Sequence, residues 1–427
     1  MRTTMLLVAF ASLAACKWTE FDDIQGTTWV DSTEKPNVKS SDWGVIIERG
    51  AATSESASSG TLAVIGAGPG TYSELAYSAA GSASLPTTSL TLGNLGIMTL
   101  DSPPIFLASP TSSEVALVTT GDNGSIVVAV GTHTLVVHQL FVGNTNLGAV
   151  AISTTPDAAT YVRPPVDPRF PGSADREPLV AAGDVVMGTV YNLPTGTAQP
   201  ACRLNDGSAT AIRIRALGAI PNGTTDDALV WNGVTNMLLR YPASVFNGCM
   251  TQGPIASTLS TVGPTRFTPG RGSQILPIDS TFVLLQGHQD ITMGNAGFLQ
   301  VFNATTLMPV GPQVAKDGIR SAAILTTAGG QYVVAGFPNE TIDGQTAGVV
   351  RVFKFDTTSG LSDTPVATLH DAQPDNNQLF GRGVAVMPFN GKQVIAVAAD
   401  NEIFVYFQVK ATDGTNGTLY DETRQGR

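Results

Sequence analysis

At 427 residues the chain is long enough for roughly two or three domains, yet only 13% of it is charged, and Gly (45) and Pro (26) are abundant. With a polar remainder rich in Thr, Ser, Asn and Gln, this balance suits an all-β, turn-rich protein and counts against a helical one. A net charge of −11 argues against nucleic acid or an anionic bilayer surface as a partner held by bulk electrostatics.

The first element is an export signal. Arg2 precedes an uncharged, mostly apolar run from Met5 to Ala15, followed by Leu13-Ala14-Ala15-Cys16 at its end and then polar Lys17-Trp18-Thr19-Glu20. As a helix that run rises only about 16 Å, too short for a ~30 Å hydrocarbon core, so it reads as a targeting segment. With Cys16 in fourth place the segment resembles the lipobox of bacterial lipoproteins; the alternative is an ordinary secretory peptide with a chance cysteine. The resemblance implies cleavage before Cys16, acylation of its thiol and a lipid anchor in a membrane. Two or three acyl chains, at about 0.8 kcal/mol per buried CH₂, anchor stably where one does not. In the family's sorting rule Asp after the lipid cysteine retains the protein at the inner membrane, and Lys17 stands there instead, which implies the outer membrane. Residues 1–15 are then signal peptide, and 16–42 a lipidated tether that includes a possible closing strand.

From residue 43 to 409 strand signals recur near every 50 residues. An apolar run ending in a small residue appears as TLAVIG (from Thr61), SIVVAVG (from Ser125), PLVAAG (from Pro178), ALVWNG (from Ala228), FVLLQG (from Phe282), YVVAG (from Tyr332) and QVIAVAA (from Gln393). A second strand follows each, with an aromatic-type residue at Tyr77, His138, Tyr191, Tyr241, Phe302, Phe353 and Tyr406. Inner strands precede several of them, as in IRIRALGAI from Ile212 and RGVAVMPF from Arg382. The fold expected is an all-β propeller of seven four-stranded antiparallel blades, with units near 43–92, 93–152, 153–204, 205–253, 254–310, 311–364 and 365–409. Two generic β-sandwiches are the alternative. The closing strand is expected from the N-terminal side, around GTTWVD (from Gly26) or WGVIIERG (from Trp43), rather than from TLYDE (from Thr418) in the polar tail 410–427.

The stretch LFGRGVAVMPFNGKQVIAVAADNEIFVY from Leu379, together with VVAGFPN from Val333, resembles FG-GAP repeats of the integrin-alpha type. The likeness is clearest from Pro264 to Gln408. Many such blades hold Ca²⁺ in an Asp-rich loop, but PFNGK, TTAGG, PIDST and TGDNGS offer too few oxygen ligands, so no metal is expected.

Two cysteines remain beyond Cys16. Cys202 and Cys249 form an even pair in an oxidising compartment, expected as a disulfide and otherwise two buried thiols. The run Gly66-x-Gly68-x-Gly70 suggests a dinucleotide-binding turn, but Thr71 replaces the third glycine and no acid lies about 20 residues on, so no nucleotide cofactor is expected. Catalytic signals are thin. His138 sits on an apolar strand, His288 and Asp290 in an expected blade loop, and Asp226-Asp227 read as a solvated turn. The proline-rich stretch Tyr161 to Pro178 reads as an inserted loop on one face, with Tyr161, Arg163, Arg169 and Phe170 as binding candidates. The functional expectation is a non-enzymatic, anchored binding module for a protein or glycan partner in adhesion or envelope assembly. The alternatives are a hydrolase or lyase with a central-channel site and a structural subunit of an envelope complex.

Overall fold

Each unit of the repeat becomes one antiparallel sheet in a computed structural model of the chain. It describes residues 157–163, 177–187, 201–208, 212–243, 253–258, 260–264, 267–270, 273–289, 294–327, 329–371, 374, 376–389, 392–399 and 403–408, and the backbone of the strands before residue 157. The described residues form strands and turns, with no α-helix among them.

Strand β1 (Ile24–Thr28) stands apart in sequence. The first sheet is β2 (Val45–Glu48), β3 (Ser59–Ile65), β4 (Thr71–Ser78) and β5 (Ala83–Thr91). The second is β6 (Ile105–Ala108), β7 (Val115–Thr120), β8 (Ile126–Gly131) and β9 (Val136–Leu140). The third is β10 (Ala158–Val162), β11 (Glu177–Ala182), β12 (Val185–Met187) and β13 (Ala201–Arg203). The fourth is β14 (Ile214–Asn222), β15 (Thr225–Asn232), β16 (Met237–Tyr241) and β17 (Ala256–Ser257). The fifth is β18 (Gln274–Pro277), β19 (Phe282–His288), β20 (Gly297–Asn303) and β21 (Pro309–Ala315). In the sixth, β22 (Ser321–Thr327) and β23 (Gly330–Phe337) are followed by a hairpin, β24 (Thr341–Ile342) and β25 (Gln345–Thr346). That sheet continues with β26 (Val349–Asp356), which pairs with both β27 (Gly360–Leu361) and β28 (Ala367–Leu369). The last sheet is β29 (Gly383–Phe389), β30 (Lys392–Ala398) and β31 (Ile403–Gln408), completed by β1.

The first strand of each sheet touches that of the next, from β2 through β6, β10, β14, β18, β22 and β29, and β29 touches β2 again. The sheets therefore close into a ring, and the fold is a β-propeller. Inner strands run one way around it. The start of β10 meets that of β14 through Asp157 and Arg215, and Ala322 on β22 donates to Gln274 on β18 at 3.1 Å. Ser321, opening β22, donates to the Gly381 carbonyl just before β29 at 2.9 Å. One face of the ring is thus where inner strands begin, the entry face, and the other is where they end, the exit face.

Ring closure is a clasp. Strand β1 pairs antiparallel with β31, Ile24 opposite Gln408 and Thr28 opposite Phe404. The N-terminal side thus supplies the fourth strand, beginning two residues before GTTWVD, while WGVIIERG supplies the inner strand of the first sheet. Thr418 to Glu422 lie outside the described residues.

Continuous apolar runs arise because successive side chains enter opposite seams. On β15, Ala228 and Val230 pack with the third sheet, whereas Leu229 and Trp231 pack with the fifth. On β23, Val333 and Ala335 face the fifth sheet, and Tyr332 and Val334 the last. Each buried Val or Leu among them contributes about 1.5–3 kcal/mol. Trp231, Phe267 and Phe298 fill one seam with ring centroids 5.4–5.9 Å apart.

In six sheets the expected second strand is in place, but the second unit is out of phase. SIVVAVG is its third strand, β8, and the strand with His138 is its fourth, β9, because VALVTT supplies a further apolar strand, β7. Fourth strands β17, β21 and β28 also run past the expected unit edges at 253, 310 and 364. Outer strands β17 and β28 have only two and three residues, so no apolar run marks them. Tyr191 lies outside the described residues; the third strand of its sheet is Val185–Met187.

The residues that carried the FG-GAP resemblance meet each other. Phe380 is fully buried, and Gly381, at φ 90°, lies against Gly336 of VVAGFPN. A Cβ on Gly336 would overlap the Gly381 carbonyl oxygen, so only glycine lets the sixth and last sheets approach this closely. Gly336→Ala should lower stability by about 3 kcal/mol through overpacking, read by urea unfolding. Deleting residues 20–35 should destabilise the whole ring, whereas deleting 412–427 should leave the thermal midpoint nearly unchanged. Melts of the two truncations check this, and the reverse order would assign closure to the wrong end.

Candidate binding face

The entry face is built from the turns between second and third strands and from the connections leading into each inner strand. The most developed is β24–β25, turned by Asp343 and Gly344 at φ 49° and 81°, the geometry an Asp-Gly hairpin favours. It is docked, since Thr346 N donates to Asn376 Oδ1 at 3.0 Å and Asn377 N to the Thr346 carbonyl at 2.8 Å. Arg351 lies over the Phe337 ring at 5.5 Å and pairs with Glu340, stiffening its base. In the fourth sheet the turn after Asn232 exposes Val234, 52% accessible.

Several arginines at the seams are paired with aspartates. At the entry end, Arg215 Nη1 meets Asp157 Oδ1 at 2.9 Å, both side chains below 10% exposure. Asp157 Oδ2 also accepts from Gly183 N at 2.9 Å, tying two sheets through one carboxylate. At the exit end, Arg163 grips Asp226 Oδ1 with Nε at 3.0 Å and Nη2 at 2.9 Å. The backbones join there too, with Arg163 N donating to Asp226 Oδ2 and Asp226 N to the Arg163 carbonyl. Asp227 accepts two bonds from Arg240 at 2.9 and 2.7 Å, and Arg240 Nη1 reaches the Ala304 carbonyl of the fifth sheet at 3.3 Å.

These pairs correct several expectations. Asp226 and Asp227 are not a solvated turn but 0% and 1% exposed, placed in β15 where only arginine partners make their charge tolerable. Tyr161 and Val162 belong to β10, and Pro178 to β11 directly opposite Tyr161, so the ends of the supposed loop are strand. Tyr161 is 4% exposed and Arg163 is engaged by Asp226, which makes both structural. Arg169 and Phe170 lie outside the described residues, as do Cys16 and Cys249. Cys202 is fully buried in β13 and disulfide-bonded.

Two histidine side chains are described, and they lie at the ends of strands in different sheets. His288 ends β19 instead of lying in a loop, its Nδ1 3.3 Å from Gln286 Nε2, and exposed His370 sits 2.7 Å from the Asp371 carbonyl. His138 lies on β9. Among the described residues no three His, Cys, Asp or Glu side chains gather as a metal site would require. The run Gly66 to Gly70 joins the antiparallel strands β3 and β4, with Ile65 opposite Tyr72, whereas a dinucleotide turn would lead into a helix.

Sequence reasoning missed the outer corners. Asn303 Oδ1 accepts from Thr305 N, Thr306 N and Thr306 Oγ1, and Asp356 Oδ1 from Thr358 N, Ser359 N and Ser359 Oγ. The backbone N–H groups of Ser359 and Thr358, then the Ser359 hydroxyl, hold the Asp356 carboxyl below its usual range. The signal was legible as FNATT and FDTTS after an aromatic third strand.

The chain matches no family model and no curated protein at a significant level. Similar solved structures include BBS1N in complex with ARL6DN, at 10% identity and TM-score 0.49, covering 83% of this chain and 90% of that one. Another is the Cps50 (Swd1) β-propeller domain of Myceliophteria thermophila, at 10% identity and TM-score 0.48, over 86% and 97%. A third is Kuenenia stuttgartiensis hydrazine synthase, at 12% identity and TM-score 0.42, over 68% and 75%.

Asp226→Ala should cost about 3 kcal/mol, the lower end for a broken buried pair because Arg163 keeps some water contact. Equilibrium urea unfolding measures it, and a loss under about 1 kcal/mol would mean the pair is screened like a surface bridge.

Proposed function

We propose that the chain is an exported, outer-membrane lipoprotein, anchored through Cys16, whose propeller is a non-enzymatic module that turns its entry face to a protein or glycan partner. The observation that carries this reading is the position and direction of β1. It begins at Ile24, beside Gln408, at the end of β31. Strand β31 ends on the exit face, so the residues before Ile24 enter there. Residues 17–23 span at most about 25 Å fully extended. Acyl chains on Cys16 would therefore hold the exit face near the bilayer and leave the entry face outward.

The same topology moves the binding surface away from the proline-rich connection. That segment leaves the end of β10 and returns at the start of β11, both at the exit face. The entry-face turns, with the docked β24–β25 hairpin, are the better-placed surface. The seven sheets of the described residues support a seven-bladed ring.

Cys16→Ala should move the protein from membranes into the soluble exported fraction. Membrane association that survives a high-salt wash in this variant would sink the anchor. Orientation has its own readout. A cysteine at Val234, 52% exposed on the entry face, should label with a bulky thiol reagent faster than one at Met308, 57% exposed on the exit face. The difference should hold on intact membranes and vanish in detergent; equal rates on membranes would remove the proposed orientation. Mass spectra before and after reduction should place Cys202 and Cys249 in one linked peptide, and free thiol labelling at both would exclude that bridge.

A further inference from the structure

Arg213, Arg320 and Arg382 each stand immediately before an inner strand, at β14, β22 and β29. The fold thus sets three arginines at one register position on the entry face, around the ring of inner strands, in a chain with only 23 Lys and Arg residues and a net charge of −11. Two of them are neighbours across one seam. Ser321 Oγ donates to the Gly381 carbonyl at 2.9 Å, and Arg320 and Arg382 are the residues next to that bond on either side.

Arg320 is handled unlike the other seam arginines. Arg163, Arg215 and Arg240 each meet a buried aspartate. Arg320 Nη2 donates instead to a neutral amide oxygen, Asn295 Oδ1, at 3.0 Å, and its Nη1 is buried without a protein partner. Burial, and then the charge of Arg382, pull its pKa below the usual arginine value. A guanidinium does not give up its proton at neutral pH, so the two like charges coexist. Leaving a buried charged donor unmet is costly, and an anionic oxygen group is the chemistry that relieves it.

We propose that the entry face between the sixth and last sheets is an anion-binding site, where Arg320 and Arg382 hold a carboxylate or phosphate group while Asn295 fixes the Arg320 plane. A planar fork suits two-point binding of such a group, as a lysine would not. The site goes beyond the anchoring reading and does not depend on it.

The test uses the detergent-solubilised full chain, titrated separately with inorganic phosphate and with citrate at ionic strength held constant by sodium chloride. Saturable binding of at least one probe is expected, and comparison of the two distinguishes a phosphate from a carboxylate ligand. Arg320→Gln and Arg382→Gln should each weaken that binding at least roughly tenfold, and Arg320→Lys, which keeps the charge but not the fork, should recover it only in part. Lys316→Gln, which removes the same charge from the connection leading to β22, should leave affinity within about twofold. Should Arg320→Gln fail to fold, Arg382→Gln carries the comparison. Failure of both probes to saturate, or equal weakening by Lys316→Gln and the arginine variants, overturns the site, the second outcome meaning bulk attraction only.

Discussion

The pairing of β1 with β31 is the constraint on which the rest depends. A ring of sheets that stops one strand short leaves two unpaired edges, each a template for association with other chains. Here the missing strand comes from the opposite end of the chain, so Ile24 must find Gln408. That contact spans nearly the whole sequence and is made by antiparallel backbone pairing. The entropy of such a closure is large, and it is offset only when both neighbouring seams are already in place. The clasp therefore reports on the ring, and the ring on the clasp.

Seams do the remaining work, by two chemistries. In the fourth, fifth and sixth sheets alternate apolar side chains of the middle strands enter opposite seams, so each of these sheets is a shared wall. Between the third and fourth sheets the seam also carries charge, buried against its partner on the neighbouring sheet. Asp157 with Arg215 and Asp226 with Arg163 set the relative height of the third and fourth sheets at both ends of the seam. Between the sixth and last sheets an apolar cluster around Tyr332 and Phe380 fills the seam, and at its entry end Gly336 meets Gly381 backbone to backbone.

Much of this was legible because seam burial writes itself as a run of apolar residues ending in a small one. The runs located the second strands of six sheets, and the inner-strand signals from Ile212 and from Arg382 match β14 and β29. The second unit was misphased because three consecutive strands there, Ile105–Ala108, Val115–Thr120 and Ile126–Gly131, are all apolar, so the pair pattern fits in two registers. The outer strand Ala256–Ser257 was invisible for the opposite reason, being only two residues long. Charge misled most. Adjacent acids such as Asp226 and Asp227 look solvated unless their partners are known, and Arg163 lies 63 positions away from Asp226 in sequence. Proline misled in the same region, since Pro178 sits in β11 beside the strand start, where its missing N–H is tolerated.

The direction of the clasp links the architecture to the proposed function. Strand β1 runs from the exit face to the entry face because it is antiparallel to β31. Had the closing strand come from the C-terminal tail, the N-terminal segment would lead straight into β2, whose first residue lies at the entry face like that of every inner strand. A lipid on Cys16 would then draw the entry face, with Arg213, Arg320 and Arg382, against the bilayer. Insertion of one extra strand ahead of β2 reverses that geometry. Closing the ring from the N-terminal side thus sets the proposed anchor and the arginine-bearing face on opposite sides of the same propeller.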